Sequence, residues 1–312
     1  MSVRHFDWRD FPALHRLRRQ SVFLDSALVL TRGPLMLPGA LFSYLAPSMG
    51  IFTYVLNGDE GGGSPVFGQF IHFLGSSVSH LTFLAPSVGL DSEKVPALVE
   101  HMMIQSGERG ALRLLADVDE SSEAFETLRQ CGFAIYSRQR IWQLTGFPNG
   151  SPHLTPWRSA ISQDEIPIRS LYNNLVPALV QQVEPLASQR SKGMVYYDHG
   201  DLIAFVELKY GRRGIWAQPF VHPDAQDMAQ HLLDLLNVIP NRRSRPVYIC
   251  VRSYQSWLET AIEDLGAEVG PRQAVMAKQL VSQQKAARAY AIPALESGQP
   301  EITAPVAQLG SK

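Results

Sequence analysis

Cysteine is scarce in this chain. Two cysteines in 312 residues, Cys131 and Cys250, cannot build the disulfide framework of a small secreted module. Both stand in apolar sequence, so they read as buried thiols, and the expected compartment is the reducing cytoplasm. A surplus of one charge is also lacking: 28 Lys and Arg face 29 Asp and Glu, a net charge of −1. That balance gives no global field to recruit nucleic acid or an anionic membrane, and neither is an expected partner. The N-terminus does not show the basic-then-apolar pattern of a secretion signal. Gly-x-Ser-x-Gly, a Walker loop and Cys-x-x-Cys are all missing, which removes the usual signatures of a serine hydrolase, a P-loop enzyme and a zinc or redox site. Charge itself is absent between Gly33 and Asn57. Length alone would permit a membrane span there, but Pro34, Pro38 and Pro47 with Gly39 and Gly50 break the run. The expectation is a buried helix followed by a strand.

What the chain does have is a repeat. Residues 112–144 read as strand, capped helix, glycine and strand, and residues 247–280 read likewise. Gly132 and Gly266 are 134 residues apart, as are Arg138 and Arg272. So long a period implies one domain fold used twice. Ser256 with Glu259 is the spacing of a capping box at the second helix, and Ser121 or Ser122 is the cap of the first. Gly132 and Gly266 stand where a helix-ending glycine belongs.

The rest of each half agrees. The first opens with a short strand at 3–6 and a helix carrying Leu14 and Leu17. Strands are expected at 50–56, 65–73 and 78–85, then a helix with Val95, Leu98, Val99 and Met102 on one stripe. The second half predicts a helix over 164–183 with a break or kink at Pro177, then strands at 194–198, 202–209 and 214–221. A helix over 225–238 follows. The fold class is α/β, with an α+β mixed sheet, in two consecutive domains at 1–145 and 156–282. Residues 146–155 read as a linker, and 283–312 as a disordered tail by composition.

Three antiparallel strands followed by strand–helix–strand–helix–strand resemble the GNAT acetyltransferase superfamily. The likeness rests on Ala124–Trp142, where Gly132-Phe133 follows a short helix, and on Val221-His222-Pro223-Asp224 with Leu232 and Leu233 beyond it. It covers about 1–145 and 156–282, an arrangement similar to two-domain members such as mycothiol synthase. The resemblance implies an acyl-CoA-dependent N-acyltransferase with acetyl-CoA, or another acyl-CoA, as co-substrate, and no metal. It also implies a splayed strand pair for the pantetheine arm and backbone N–H groups aimed at the pyrophosphate. On that reading Phe220, Val221, Gln226, Asp227, Met228 and Ala229 bind the cofactor. The chain departs from the family's pattern in that loop: His231 falls where a small residue is expected, and Asp227 adds negative charge. The first half shows no such loop between Ser87 and Lys94. The tyrosine four residues before each helix-ending glycine is replaced by Leu128 and Ile262.

Each candidate catalytic group has a plain alternative. Glu207 is a general base or a solvated strand position, and Tyr254 a displaced proton donor or a surface tyrosine. His222 could titrate near neutrality or simply belong to its turn. His72 and His80 flank a hairpin without metal-ligand spacing. Arg16, Arg18 and Arg19 suit a helix C-terminus, and Arg242, Arg243 and Arg245 a solvated loop or a CoA phosphate contact. The readings left open are an acyltransferase acting on a small-molecule or peptide amine, a catalytically inactive binding or regulatory protein, and aminoacyl transfer from tRNA. A monomer with two packed domains is compatible with each.

Overall fold

The computed structural model describes residues 2–57, 64–87, 94–145, 156–186 and 192–280. The expected linker and tail lie outside the described residues. The first half runs β1 (Val3–His5), α1 (Phe11–Leu17), β2 (Val22–Phe23), α2 (Ser26–Arg32), α3 (Met36–Leu45), β3 (Ile51–Leu56), β4 (Val66–Ile71), β5 (Val78–Ala85), α4 (Lys94–Glu108), β6 (Arg113–Asp119), α5 (Glu123–Gln130) and β7 (Ala134–Leu144). The second runs β8 (Trp157–Ser159), α6 (Glu165–Leu175), α7 (Ala178–Val183), β9 (Gly193–Asp198), β10 (Asp201–Tyr210), β11 (Ile215–Val221), α8 (Met228–Val238), β12 (Val247–Arg252), α9 (Leu258–Glu263), β13 (Glu268–Val269) and β14 (Gln273–Gln279).

One mixed sheet takes up every strand, in the order β1-β3-β4-β5-β6-β14-β7-β12-β11-β10-β9-β8, with β2 on β5 and β13 on β7. The halves have exchanged their last strands. β14 of the second half pairs with β6 of the first, and β7 of the first pairs with β12 of the second. At the seam β7 and β14 run antiparallel, and Gln139 faces Gln273. Those two residues are separated by the repeat period of 134, so equivalent positions meet at a local two-fold axis. Their side chains hydrogen-bond across it, Gln139 Nε2 donating to Gln273 Oε1 at 2.9 Å.

The exchange is built into both cores. Ala274 and Met276 of β14 are buried with Leu98, Val99 and Met102 of α4. Trp142 and Leu144 of β7 are buried with Leu232, Leu235 and Leu236 of α8. Each of the larger side chains contributes about 1.5–3 kcal/mol by leaving water, so neither half closes its core alone. Gly132 and Gly266 take left-handed φ values of +80° and +73°, which lets the chain reverse without a Cβ clash.

Local expectations fare unevenly. The helix foreseen over 164–183 is two, α6 and α7, because the chain turns extended at Val176 before Pro177. The Ser256–Glu259 capping box does not form. Trp257 is the N-cap of α9, and Glu259 instead reaches Arg140 on β7 at 3.2 Å, a tertiary ion pair in place of a local one. Ser122 does precede α5, but its hydroxyl donates to the Asp119 carbonyl at 2.8 Å. The uncharged run holds a helix followed by a strand, α3 and β3, as expected, but α3 is buried on one side only, with Leu41, Phe42, Tyr44 and Leu45 exposed, and it meets α2 at 99°. Gly33 and Pro34 make that bend. No single helix among the described residues is long and apolar enough to cross a membrane.

Candidate functional site

Each half contains a pair of parallel strands that start together and then part. β5 and β6 are in register from Val78–Arg113 to His80–Leu115 and diverge beyond. β11 and β12 do the same from Ile215–Val247 to Ala217–Ile249. Where strands part, buried N–H and C=O groups lose their ladder partners and must find others. The two openings solve this differently.

In the first half, backbone fills the gap. β2 pairs with β5 through Val22–Leu84 and Phe23–Phe83. Just beyond it Leu24 N donates to Thr82 O at 2.9 Å, and Leu24 O accepts from Asp117 N on β6 at 2.8 Å. The segment bridges both parted strands. In the second half a single side chain does the work. Gln255, only 1% exposed, accepts from Val221 N through Oε1 at 2.8 Å and donates through Nε2 to Pro219 O at 2.8 Å.

Charged groups collect beside the openings. Arg252 ends β12 with its side chain only 6% exposed, and its Nη2 donates to both carboxylate oxygens of Glu184 at 3.0 and 2.9 Å. Tyr136 donates to Glu184 Oε1 at 2.5 Å, and Tyr172 donates to the Glu184 carbonyl at 2.5 Å. Burial pushes the Glu184 carboxyl up, but the Arg252 charge and the Tyr136 hydrogen bond outweigh it and hold the group below its ordinary range. The Nε and Nη1 atoms of Arg252 are buried without a hydrogen-bond partner. On β6, Asp117 accepts from Ser26 N at 3.1 Å. Burial, followed by the nearby Asp25 charge, pushes its carboxyl up to about 6. A polar chain then crosses the two-fold seam: Ser26 Oγ donates to Gln273 at 2.9 Å, and Cys250 Sγ donates to Gln139 at 3.2 Å.

The residues singled out in the sequence fall into two groups. Tyr254 lies close enough to the Glu184–Arg252 pair to feel both charges, and Glu207 neighbours Tyr172 and Lys209. Glu207 is half-buried on β10, opposite Gln218, with Oε2 4.0 Å from Lys209 Nζ. Lys209 stays above its ordinary value, because the charges of Glu207, Glu184 and Asp25 outweigh the opposing effect of burial. Tyr254 packs with Phe220 and Tyr172, and burial raises its hydroxyl well above the usual phenol range against the opposing Arg252 charge. Phe220 is a core side chain stacked on Phe205 at 6.1 Å, and Val221 offers the N–H held by Gln255.

The second group lies at the start of α8. Gln226 and Asp227 are exposed, Ala229 is half-buried and Met228 belongs to the core. Asp227 is the N-cap in left-handed conformation, φ +50°, with no side-chain capping bond. His231, noted as out of place for a phosphate loop, packs on Tyr196 with ring centroids 4.5 Å apart. Leu128 and Ile262, where tyrosines were missed, are fully buried core residues. His72 is buried against the carbonyl of Arg109 at 3.1 Å while His80 is exposed, and among the described residues no group of three His, Cys, Asp or Glu is placed to hold a metal. Arg245 Nη1 bonds the Gly211 carbonyl at 2.5 Å, which ties the basic loop to the β10–β11 turn. His222 Nδ1 accepts from Asp224 N at 3.3 Å within its own turn.

Sequence reading missed Glu184, Arg252, Asp117, Gln255 and the β2 plug. One readable signal went unused, the spacing of Arg4 to Asp10 and of Arg158 to Asp164. Both pairs form the same ion pair, at 2.6 and 2.7 Å, across the opening strand and first turn of each half.

No protein-family model matches the chain, and no curated protein does. Solved structures do. A GCN5-related N-acetyltransferase from Sphaerobacter thermophilus aligns over 89% of this chain and 95% of its own at 13% identity, with a TM-score of 0.54. A tandem GNAT protein from the clavulanic acid biosynthesis pathway aligns over 87% and 93% at 16% identity, with a TM-score of 0.45. A GNAT-family acetyltransferase from Colwellia psychrerythraea aligns over 90% and 100% at 12% identity, with a TM-score of 0.43. At these identities the likeness speaks for fold alone, and the first match carries it. Together with the repeated strand order and the two strand openings, it places this chain among proteins of the GNAT acetyltransferase fold, built in tandem.

Proposed function

We propose that the protein is an acyl-CoA-dependent N-acyltransferase whose second half receives the acyl-CoA and whose first half is a structural partner. The observation that carries this is the difference in what closes the two openings. Emptying the first means tearing out a bonded backbone segment. Emptying the second takes one rotation of Gln255, after which Val221 N–H and Pro219 C=O are free for an amide-bearing arm. Bound acyl-CoA supplies a thioester carbon for an amine to attack. On this reading Glu207 takes the amine proton, and Tyr254, which keeps its proton at neutral pH, gives one to the departing sulfur. Lys209 and the Glu184–Arg252 pair hold the surrounding charge in place. The acceptor is a small-molecule or peptide amine.

Isothermal titration with acetyl-CoA tests the reading. Binding to the intact chain, strengthened in Gln255→Ala and followed by transfer to a panel of primary amines that Glu207→Gln abolishes, is the expected result. No binding to either protein sinks it. A second reading, a non-catalytic binding module, is favoured by Asp227, whose carboxylate sits at the α8 N-terminus where phosphates would dock. Binding without transfer to any amine would select that reading.

A further inference from the structure

The local two-fold axis that sets Gln139 against Gln273 also matches the residues beside them. Arg252 on β12 stands opposite Gln139, and Asp119 on β6 stands opposite Gln273. Asp119 and Arg252 therefore hold the same position in the two halves. One step back along these strands the matched residues are Val118 and Val251, both buried. The likeness ends one residue on. Asp119 stays local, its carboxylate accepting from Ser121 N at 2.9 Å and Ser121 Oγ at 2.8 Å in the turn before α5. Arg252 is a long cation in the same place, held by Glu184 through Nη2 alone. The shared frame needs no buried cation there, since the first half closes the same corner with a short acid.

A guanidinium carries only donors and no acceptor. Two of its nitrogens in Arg252, Nε and Nη1, are buried without a partner among the described residues. Buried polar groups left unpaired are costly and rare in native proteins. These donors lie at the second opening: β11 and β12 part after Ala217–Ile249, and Gln255, three residues past Arg252, fills the gap. Alternation along β12 puts Arg252 on the sheet face of Cys250. On that face Cys250 and Trp216 pack with Ala27 and Leu30 of α2, while Phe220 packs with Tyr172 of α6. Between Trp216 and Phe220 on β11 stands Gln218, opposite Glu207 of β10. Polar side chains thus separate two apolar clusters, one under each helix. Tyr172 is near enough to both Arg252 and Glu207 to feel their charges.

We propose that Arg252 selects the acceptor: the amine to be acylated also carries a carboxylate, which accepts from the free guanidinium donors while the amine goes to Glu207. The acceptor class is an amino acid. This deepens the acyltransferase reading and rests on it for the fate of the amine. The carboxylate takes no part in the transfer. The amine nitrogen bonds the thioester carbon, the C–S bond breaks, and the carboxylate only anchors the molecule. A carboxylate suits the place better than a phosphate. Glu184 already sets one negative charge on Arg252, with Glu207 nearby, so a doubly charged group meets stronger repulsion. A zwitterion brings its ammonium to Glu207 together with its carboxylate to Arg252, and leaves the charge balance as it was.

Calorimetry on the full chain tests this, with and without acetyl-CoA. The probes are the protein amino acids, β-alanine and γ-aminobutyrate, each beside its carboxamide. At least one amino acid should bind roughly tenfold to a hundredfold more tightly than its amide, the worth of a hydrogen bond to a charged group. Where transfer is seen, the amide should raise KM and leave kcat nearly unchanged. Arg252→Gln combined with Glu184→Gln leaves neither charge unpaired, and should bring acid and amide to within a few-fold of each other. Equal binding of acid and amide by the wild type overturns the proposal, whether or not the double variant folds. So does binding of no amino acid in either condition, or a preference that survives in the double variant. The acyltransferase reading falls on a different result, the failure of acetyl-CoA to bind, and amino acid binding is measured without acetyl-CoA as well.

Discussion

The two strand openings are the same device closed in two ways. In the first half the filler is backbone: β2 and Leu24 bond to both β5 and β6. In the second it is one amide side chain from the turn after β12. Their electrostatics differ as well. Carboxylates gather at the first, Asp117 with Asp25 nearby, while the second holds a buried arginine on a glutamate. A backbone filler is part of the fold and cannot leave without local unfolding. A side-chain filler can rotate away and return. On the proposed function, duplication leaves one copy free to become scaffold, while the other keeps a gap for the ligand.

The sharpest way to break the comparison is to remove the strand that joins the halves. A chain ending at Gly270 loses β14, which pairs with β6 on one side and β7 on the other. The burial of Ala274, Val275 and Met276 and two ladders of hydrogen bonds go with it. That loss is on the order of 10 kcal/mol, comparable to a domain's whole stability. We expect no cooperative melt by circular dichroism, whereas a chain ending at Leu280 melts like the full protein. If the first half, which holds the backbone-filled opening, still melts cooperatively, it is a domain in its own right.

That dependence was only partly legible. Periodicity and glycine spacing exposed the repeat, because each half must bury the same helical stripes and turn at the same places. The strand exchange was hidden, since β7 and β14 have the same alternation whichever β-strand they pair with. The openings were hidden for a related reason: β2 is only two residues, Val22-Phe23, and carries no pattern of its own. Gln255 and Glu184 owe their roles to partners 34 and 68 residues away, a distance over which no local rule operates. Glu207 and Tyr254 could be named because each lies on or next to a well-marked strand.

Next in size is Glu184→Gln, which leaves Arg252 buried without its counter-charge. Breaking such a pair from one side costs about 3–5 kcal/mol, read from urea unfolding. The ion pairs at the outer edges of the two halves provide the contrast. Arg4 and Arg158 are 40% and 46% exposed and their buried partners Asp10 and Asp164 keep a backbone hydrogen bond each, so exchanging either for methionine should cost about 1–2 kcal/mol, less than the loss in Glu184→Gln. Equal losses would remove the claim that the second opening has a special electrostatic demand.

The first opening should reveal itself through pH. The Asp117 carboxyl is raised from 3.8 to about 6, so the folded state holds its proton more tightly than the unfolded state. The stabilisation is fully present below about pH 4 and is lost as pH rises through 6. A shift of that size corresponds to roughly 3 kcal/mol. Between pH 4 and 7 the wild type should therefore lose about that much stability relative to Asp117→Asn, as followed by urea midpoints. Parallel pH curves would mean that Asp117 is not confined beside Asp25 as the structure has it.

Gln255→Ala should have a small effect on stability and the largest bearing on function. The exchange frees Val221 N–H and Pro219 C=O, and water can enter the space left, so the cost should be about 1–2 kcal/mol. Acetyl-CoA should then bind several-fold more tightly, because the amide no longer competes for the same two groups. No side-chain exchange in β2 can do this for the first half, since its filler is main chain. Leu24→Ala should cost about 2–5 kcal/mol, as for a buried leucine, and still leave the Thr82 and Asp117 backbone groups occupied. Titration calorimetry on both variants sets the openings against each other directly. A gain in binding from Leu24→Ala with none from Gln255→Ala would reverse the assignment of scaffold and site, because it would make the backbone-filled opening the one that yields.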